Sequence, residues 1–225
     1  MSSKASQLPS LSFESSFFEK GTRFVIGVDE VGRGSIAGPV AVGVALLDAQ
    51  AISSNWPERL KDSKLLSEKT REAIFDDVAS WVSGWAVGMA SVAEIESEGI
   101  VDALALAGGR ALAQLLNDAS LRSQLANQGA QLILDGSHNW LSGKAMGFEV
   151  VAKTKADRDC VSVACASVLA KVTRDRLMLE IAVEHPEYAL ASNKGYASGD
   201  HIAALKQFGP SPVHRLSWLT KILQG

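Results

Sequence analysis

Val25-Ile26-Gly27-Val28-Asp29-Glu30-Val31-Gly32-Arg33-Gly34 runs from a short apolar stretch into two adjacent carboxylates and then an arginine between glycines. The run Val25 to Val28 has strand length, and Pro39 to Leu47 reads as a second strand. Residues 24–29 and 39–47 are therefore expected to pair across the glycine-rich connection Gly32 to Gly38. Farther along, the apolar period changes. Ser67 can cap a helix with Ile74, Phe75, Val78, Trp81 and Val82 on one face, and Gly84 is its expected stop. Trp85 to Ala90 reads as a strand, and Ser91-Val92-Ala93-Glu94 matches a capping box. Ile100, Leu104, Ala107, Ala111 and Leu115 make one helical stripe.

Gln131 to Leu134 and Phe148 to Ala152 are further strands, the first ending in Asp135-Gly136. A long helix is expected over Val161 to Glu184, stopping before His185-Pro186. Ser198 caps a helix that ends at Phe208, and a last helix begins near Arg215. Strands that alternate with helices after an opening hairpin predict an α/β fold, a mixed sheet flanked by helices. The expected organisation is an N-terminal extension (1–22), a main α/β domain (23–185) and a small helical C-terminal subdomain (186–225).

The 225-residue chain is 47% apolar and carries a formal net charge of −3. That is enough for one substantial core, and it excludes the basic coat of a nucleic-acid packaging protein. An enzyme that gathers its basic groups on one face stays open. Cys160 and Cys165 sit in one apolar stretch at a spacing that suits neither a disulfide nor, without paired histidines, zinc. Buried thiols are expected. The Ser-rich start lacks a signal-peptide pattern, and no run approaches the roughly 18 apolar residues of a membrane span. A cytoplasmic, soluble, monomeric protein is the expectation.

Carboxylates at strand ends converge at one edge of an α/β sheet, where ligand sites lie. Asp29, Glu30 and Asp135 are such residues, and Asp157 precedes the long helix. Hard divalent cations take oxygen ligands of this kind. A single strand-end acid is usually solvated or caps a turn; four beside a glycine-arginine-glycine loop are less readily dismissed. Neighbours on a strand point to opposite faces, so Asp29 and Glu30 are expected to need a backbone bend to share a cation. Gly32-x-Gly34-x-x-x-Gly38 misses the dinucleotide fingerprint by one residue and leads into a strand rather than a helix. No Walker A sequence or nucleophile triad occurs. Lys61-Asp62-Ser63-Lys64 ahead of a helix can bind phosphate, and Tyr196 after Gly195 can stack on a sugar or base. Lys171, Arg174, His214 and Arg215 read individually as ordinary surface charge, and His138 and His201 have no ligand-spaced companions.

Val28-Asp29-Glu30-Val31-Gly32-Arg33-Gly34, Asp62-Ser63-Lys64, Leu134-Asp135-Gly136, Lys155-Ala156-Asp157, Ala166 through Asp175, Asn193-Lys194-Gly195-Tyr196 and His214-Arg215-Leu216-Ser217 occur in one order over residues 24 to 218. In that order they resemble bacterial ribonuclease HII. The resemblance implies a ribonuclease H-like fold with a helical C-terminal extension. It also implies an endonuclease that cuts RNA in RNA–DNA hybrids and nicks at ribonucleotides within duplex DNA, using Mn²⁺ or Mg²⁺. By the same resemblance, Asp29, Glu30, Asp135 and Asp157 become the metal-binding catalytic acids. Gly32, Arg33 and Gly34 become the loop that reads the 2′-OH, with Lys64 also on the substrate, and Tyr196 stacks on the adjacent sugar. Ser35 stands where the family usually has proline, and a looser loop is expected there. Counting back from Ala166 selects Asp157 rather than Asp159 as the fourth acid. The related ribonuclease HIII normally lacks the glycine-arginine-glycine loop and carries an extra N-terminal domain, for which about 23 residues leave no room by this reading.

Overall fold

The opening hairpin forms as the apolar pattern dictates: β1 (Val25–Val31) pairs antiparallel with β2 (Val40–Leu47), whose eight residues are all buried. The computed structural model describes residues 8–141 and 143–223. Ahead of β1 lies α1 (Ser12–Phe18), within the stretch expected only as an extension. After β2 come α2 (Ala49–Ser53), α3 (Glu68–Trp81) and β3 (Gly84–Ala90). Next are α4 (Val92–Glu98), α5 (Ile100–Leu115) and α6 (Ala119–Gln128). β4 (Gln131–Asp135), β5 (Glu149–Lys153), α7 (Ala156–Asp159) and α8 (Val161–Glu184) follow. The C-terminal part carries α9 (Leu190–Asn193), α10 (Gly199–Phe208) and α11 (Leu216–Leu223).

The five strands lie in the order β3-β2-β1-β4-β5. β1, β4 and β5 run parallel, and β2 and β3 continue the sheet antiparallel. The sheet is thus mixed, as expected. Val28 pairs with Leu134 and Asp135 with Lys153, so β1, β4 and β5 end at one edge, and Asp29 and Asp135 follow paired residues there. Helices cover both faces. Ile26, Val28, Val42 and Leu46 pack with Leu104, Ala107, Ala111 and Leu112 of α5. On the opposite face Ala45 and Leu47 pack with α3 and with Val161, Cys165 and Val168 of α8.

Small residues let α8 lie directly on the strands. A side chain at Gly27 would collide with the Ser162 backbone, and one at Gly43 would meet the Ala166 carbonyl at 2.5 Å. The close approach matters to the site, because it brings Ser167 on α8 beside the end of β1. Ser67 and the Ser91–Glu94 box cap α3 and α4 as read from the sequence. The bend expected at Asp29–Glu30 is absent. Asp29, Glu30 and Val31 pair in register with Gly43, Val42 and Ala41, because the buried β2 extends the ladder past the acids.

Candidate active site

The strand alternation places Asp29 on the α8 face and Glu30 on the α5 face, at the edge where β4 has already ended. Asp29 is 2% exposed, and the nearby Ser167 hydroxyl favours the charged form of its carboxylate. Ser167 in turn shares a 2.8 Å hydrogen bond with Ser63. Oδ1 of Asp29 and Oε2 of Glu30 are buried with no hydrogen-bond partner. Burial, and then the charge of Glu30, push the Asp29 carboxyl well above the usual range. Burial also raises Glu30, against the pull of Arg33, whose Nη1 lies 3.4 Å from Oε1.

Asp135 is held from the other side. Its Oδ1 accepts the Ala156 N–H at 2.7 Å and the Asp157 N–H at 3.4 Å, both from the first turn of α7. Burial and the neighbouring Asp157 still raise its carboxyl. Asp157 is 6% exposed and accepts from Lys64 Nζ at 3.0 Å. Asp159 instead turns to Lys153, 3.1 Å away, which separates it from the acid group. Burial opposes the charge on Lys64, yet Asp29, Asp157 and Asp62 together hold its ammonium above the ordinary range.

Four carboxylates against one lysine and the exposed Arg33, with two buried oxygens unpartnered, make an edge short of positive charge. Among the described residues, no three His, Cys, Asp or Glu side chains already form a closed metal cage. A hard divalent ion takes only one or two carboxylates, with water and substrate phosphate as its other ligands. Acceptor-only oxygens without partners suit such an ion, and the acid set fits Mg²⁺ or Mn²⁺.

The glycine-arginine loop is built differently. Gly32 sits at φ +78°, where a side chain would strike the Arg174 guanidinium, whereas Gly34 faces open space. Arg215, fully buried, donates to the carbonyls of Gly32 (2.8 Å), Arg33 (2.9 Å) and Gly38 (3.0 Å). Arg174, also fully buried, donates to the carbonyls of Pro39 (2.8 Å), Ala37 (3.2 Å) and Lys194 (2.9 Å). Its Nη2 also reaches the Ser35 hydroxyl at 3.0 Å. Two expectations are corrected here. Arg174 and Arg215 are not surface charges; the turns of the loop leave carbonyls that only forked donors at the core can satisfy. Ser35 does not loosen the loop, because its buried hydroxyl ties it to α8.

The loop also pairs with the C-terminal helices. Ile36 N–H donates to the Gly195 carbonyl at 2.9 Å, and Ala37 bridges His214. Tyr196, next in the chain, is 38% exposed, with Lys171 Nζ 5.6 Å and the Arg174 guanidinium carbon 5.9 Å from its ring centre. Arg33 and Tyr196 thus stand on a framework shared by both halves. His214, read from the sequence as surface charge, is instead buried, and its Nε2 lies 3.0 Å from Nε2 of His201 in the C-terminal packing.

Sequence reasoning singled out the acids, the loop and Tyr196, which the fold brings to one region, and read Lys64 as a phosphate contact, while its ammonium here lies on Asp157. It missed Ser167, Arg174 and Arg215. Arg174 had a usable signal: Ala170 and Met178, four residues to either side, lie on the buried stripe of α8.

The sequence profile of the family described as Ribonuclease HII matches residues 26–221. A ribonuclease HII of Streptomyces avermitilis is 42% identical over 198 residues, covering 88% of this chain and 78% of that protein. The solved ribonuclease H2 from Pyrococcus horikoshii superposes with a TM-score of 0.64 at 26% identity, covering 89% of this chain and 97% of that one. A structure of Bst-RNase HIII in complex with Mn²⁺ shares the fold, with a TM-score of 0.63 at 21% identity over 91% of this chain and 70% of that one.

Proposed function

Since this chain belongs to the ribonuclease HII family, we propose that it hydrolyses the RNA strand of RNA–DNA hybrids and nicks duplex DNA on the 5′ side of embedded ribonucleotides. The enzyme is a divalent-metal-dependent phosphodiester hydrolase, using Mn²⁺ or Mg²⁺. The observation that carries the reading is the pair of buried, unpartnered oxygens of Asp29 and Glu30 beside a loop whose carbonyls are held by two buried arginines.

Asp29, Glu30, Asp135 and Asp157 would hold divalent metal at this edge, one or two carboxylates to an ion, and bound metal would supply charge stabilisation at the phosphate and a water nucleophile active at neutral pH. Asp135 is kept in place by the Ala156 N–H, and Ser167 lies beside Asp29, where its hydroxyl favours the charged carboxylate. Lys64 neutralises Asp157 in the free protein and lies close enough to the acids to meet a scissile phosphate. Gly34 leaves the loop backbone bare, so Gly32, Arg33 and Gly34 can approach a ribose. The 2′-OH is what separates RNA from DNA there. Tyr196 offers an exposed ring for the neighbouring sugar. Because water attacks rather than the 2′-OH, the ends are a 3′-hydroxyl and a 5′-phosphate.

Among the described residues no helix is long and apolar enough to cross a membrane. We read the protein as a cytoplasmic monomer with a catalytic domain over 23–185, an extension at 1–22 and a helical subdomain over 186–225. The separate packing of Tyr188, Leu190, Leu205 and Leu219 around Ile36 and Met178 supports that subdomain. The test is a duplex DNA with a single ribonucleotide, incubated with and without Mn²⁺ or Mg²⁺. A metal-dependent nick 5′ of the ribonucleotide is expected. A folded protein that leaves that bond intact contradicts the reading.

A further inference from the structure

Among the described residues no hydrogen bond or ion pair joins α1 to the four acids, yet it is fastened to elements beside three of them. Its one buried residue is Glu14, fully shielded from solvent. Oε1 of Glu14 accepts both the backbone N–H and the hydroxyl of Ser162, each at 2.8 Å. Ser162 stands in the first turn of α8, where the N-cap residue Cys160 makes no side-chain capping bond. An acid 148 positions away in sequence therefore satisfies a donor that the helix start leaves open.

The contacts around it extend to α7. Ser10 N–H donates to the Asp159 carbonyl at 3.0 Å, and Ser10 bridges Cys160. Phe13, Phe17 and Phe18 pack on Ile133, Ala156 and Val163. α7 and α8 carry Ser167, which lies beside Asp29, the Ala156 N–H, which bonds Asp135, and Asp157 itself. Of the four acids only Glu30 has no support from this unit.

Packing alone does not call for a carboxylate here. An apolar side chain would fill the space without the cost of burying a charge. Glu14 keeps one oxygen without a partner, and burial pushes its carboxyl above the usual range. What the carboxylate adds is direction: two bonds onto one residue of α8.

We infer that Glu14 is a positioning residue for the metal-binding acids, setting where the α7–α8 unit lies against β1 and β4 and so the spacing of Asp29, Asp135 and Asp157. The inference rests on the reading of those acids as the cation site. Its test is calorimetric titration of Mn²⁺ into the full chain without nucleic acid, alongside cleavage kinetics. Glu14→Ala is expected to weaken Mn²⁺ binding about tenfold, the lower end of what a ligand's supporting contacts are worth. Its cleavage rate should recover in excess Mn²⁺ with KM for the duplex unchanged. Glu14→Gln, which keeps an acceptor oxygen, should restore most of the affinity. Glu14→Asp, one methylene shorter but still charged, tests the same point where the alanine variant does not fold, and should also bind Mn²⁺ more weakly. Wild-type Mn²⁺ affinity in the folded Ala or Asp variant, with only the melting temperature lowered, overturns the inference. A wild-type protein that binds no Mn²⁺ overturns the acid-site reading beneath it.

Discussion

The acid edge and the glycine-arginine loop lie next to each other in the chain and are built on opposite principles. At the edge, Asp29 and Glu30 each keep a buried oxygen with no partner, and carboxylates crowd one another. In the loop, the carbonyls of Gly32, Arg33, Ala37, Gly38 and Pro39 are each taken up by one of two buried arginines. The edge keeps binding capacity in reserve, whereas the loop has been made rigid. Bond breaking needs groups that gain in the transition state, and reading a sugar needs a fixed backbone.

The sharpest way to break that comparison is to remove an acid. Asp29→Asn or Asp135→Asn should lower cleavage roughly 10⁴-fold or more, as loss of a catalytic group does, while duplex binding stays largely intact. Because the folded state raises the Asp29 carboxyl, its ionised form costs stability that grows as pH rises above the ordinary carboxylate range. Asp29→Asn should therefore melt higher than wild type at pH 8 without metal. Wild-type turnover would defeat the catalytic assignment, and a lower melting temperature would defeat the electrostatic one.

Arg215→Ala should act in the reverse sense, lowering stability by about 3 kcal/mol because buried carbonyls lose their donors. Lysine cannot span three carbonyls with one ammonium, so Arg215→Lys should recover little of this. Urea unfolding of both variants tests it, and a loss within about 0.5 kcal/mol, the range of ordinary surface substitutions, would contradict the rigid-loop account.

A smaller effect is expected from acid. Burial first, and then the charge of His201, pull His214 down to about 4, and burial lowers His201. His185 and Glu187 also face this pair. The folded protein thus binds fewer protons than the unfolded chain between about pH 4 and 6.5, and the C-terminal packing loses stability as pH falls through that window. The loss attributable to His214 is at most about 3 kcal/mol. The difference in unfolding free energy between wild type and His214→Gln should shrink from pH 7 to pH 4.5. A constant difference would show that the pair does not titrate in this way.

The sequence carried this comparison unevenly. Strand ends, caps and the spacing of Ile100 to Leu115 are local signals, so β1, β2, α3, α4, α5 and α8 could be read directly. The acids were legible because a carboxylate after an apolar strand is conspicuous. What stayed hidden depends on distant pairing. Arg174 and Arg215 look like surface charges until the loop carbonyls they serve are in place. α1 hides in a Ser-rich stretch because its stability comes from docking on α8 rather than from its own propensity. His201 and His214 become a pair only once α10 and the following turn meet.

The central claim is that the acid edge stays electrostatically unsatisfied until a cation arrives. Thermal unfolding of wild type and Asp29→Asn at pH 8, each with and without Mn²⁺, tests it most directly. Mn²⁺ should raise the melting temperature of wild type and leave Asp29→Asn, already relieved of one buried charge, little changed. No rise in wild type, or an equal rise in both, would contradict it.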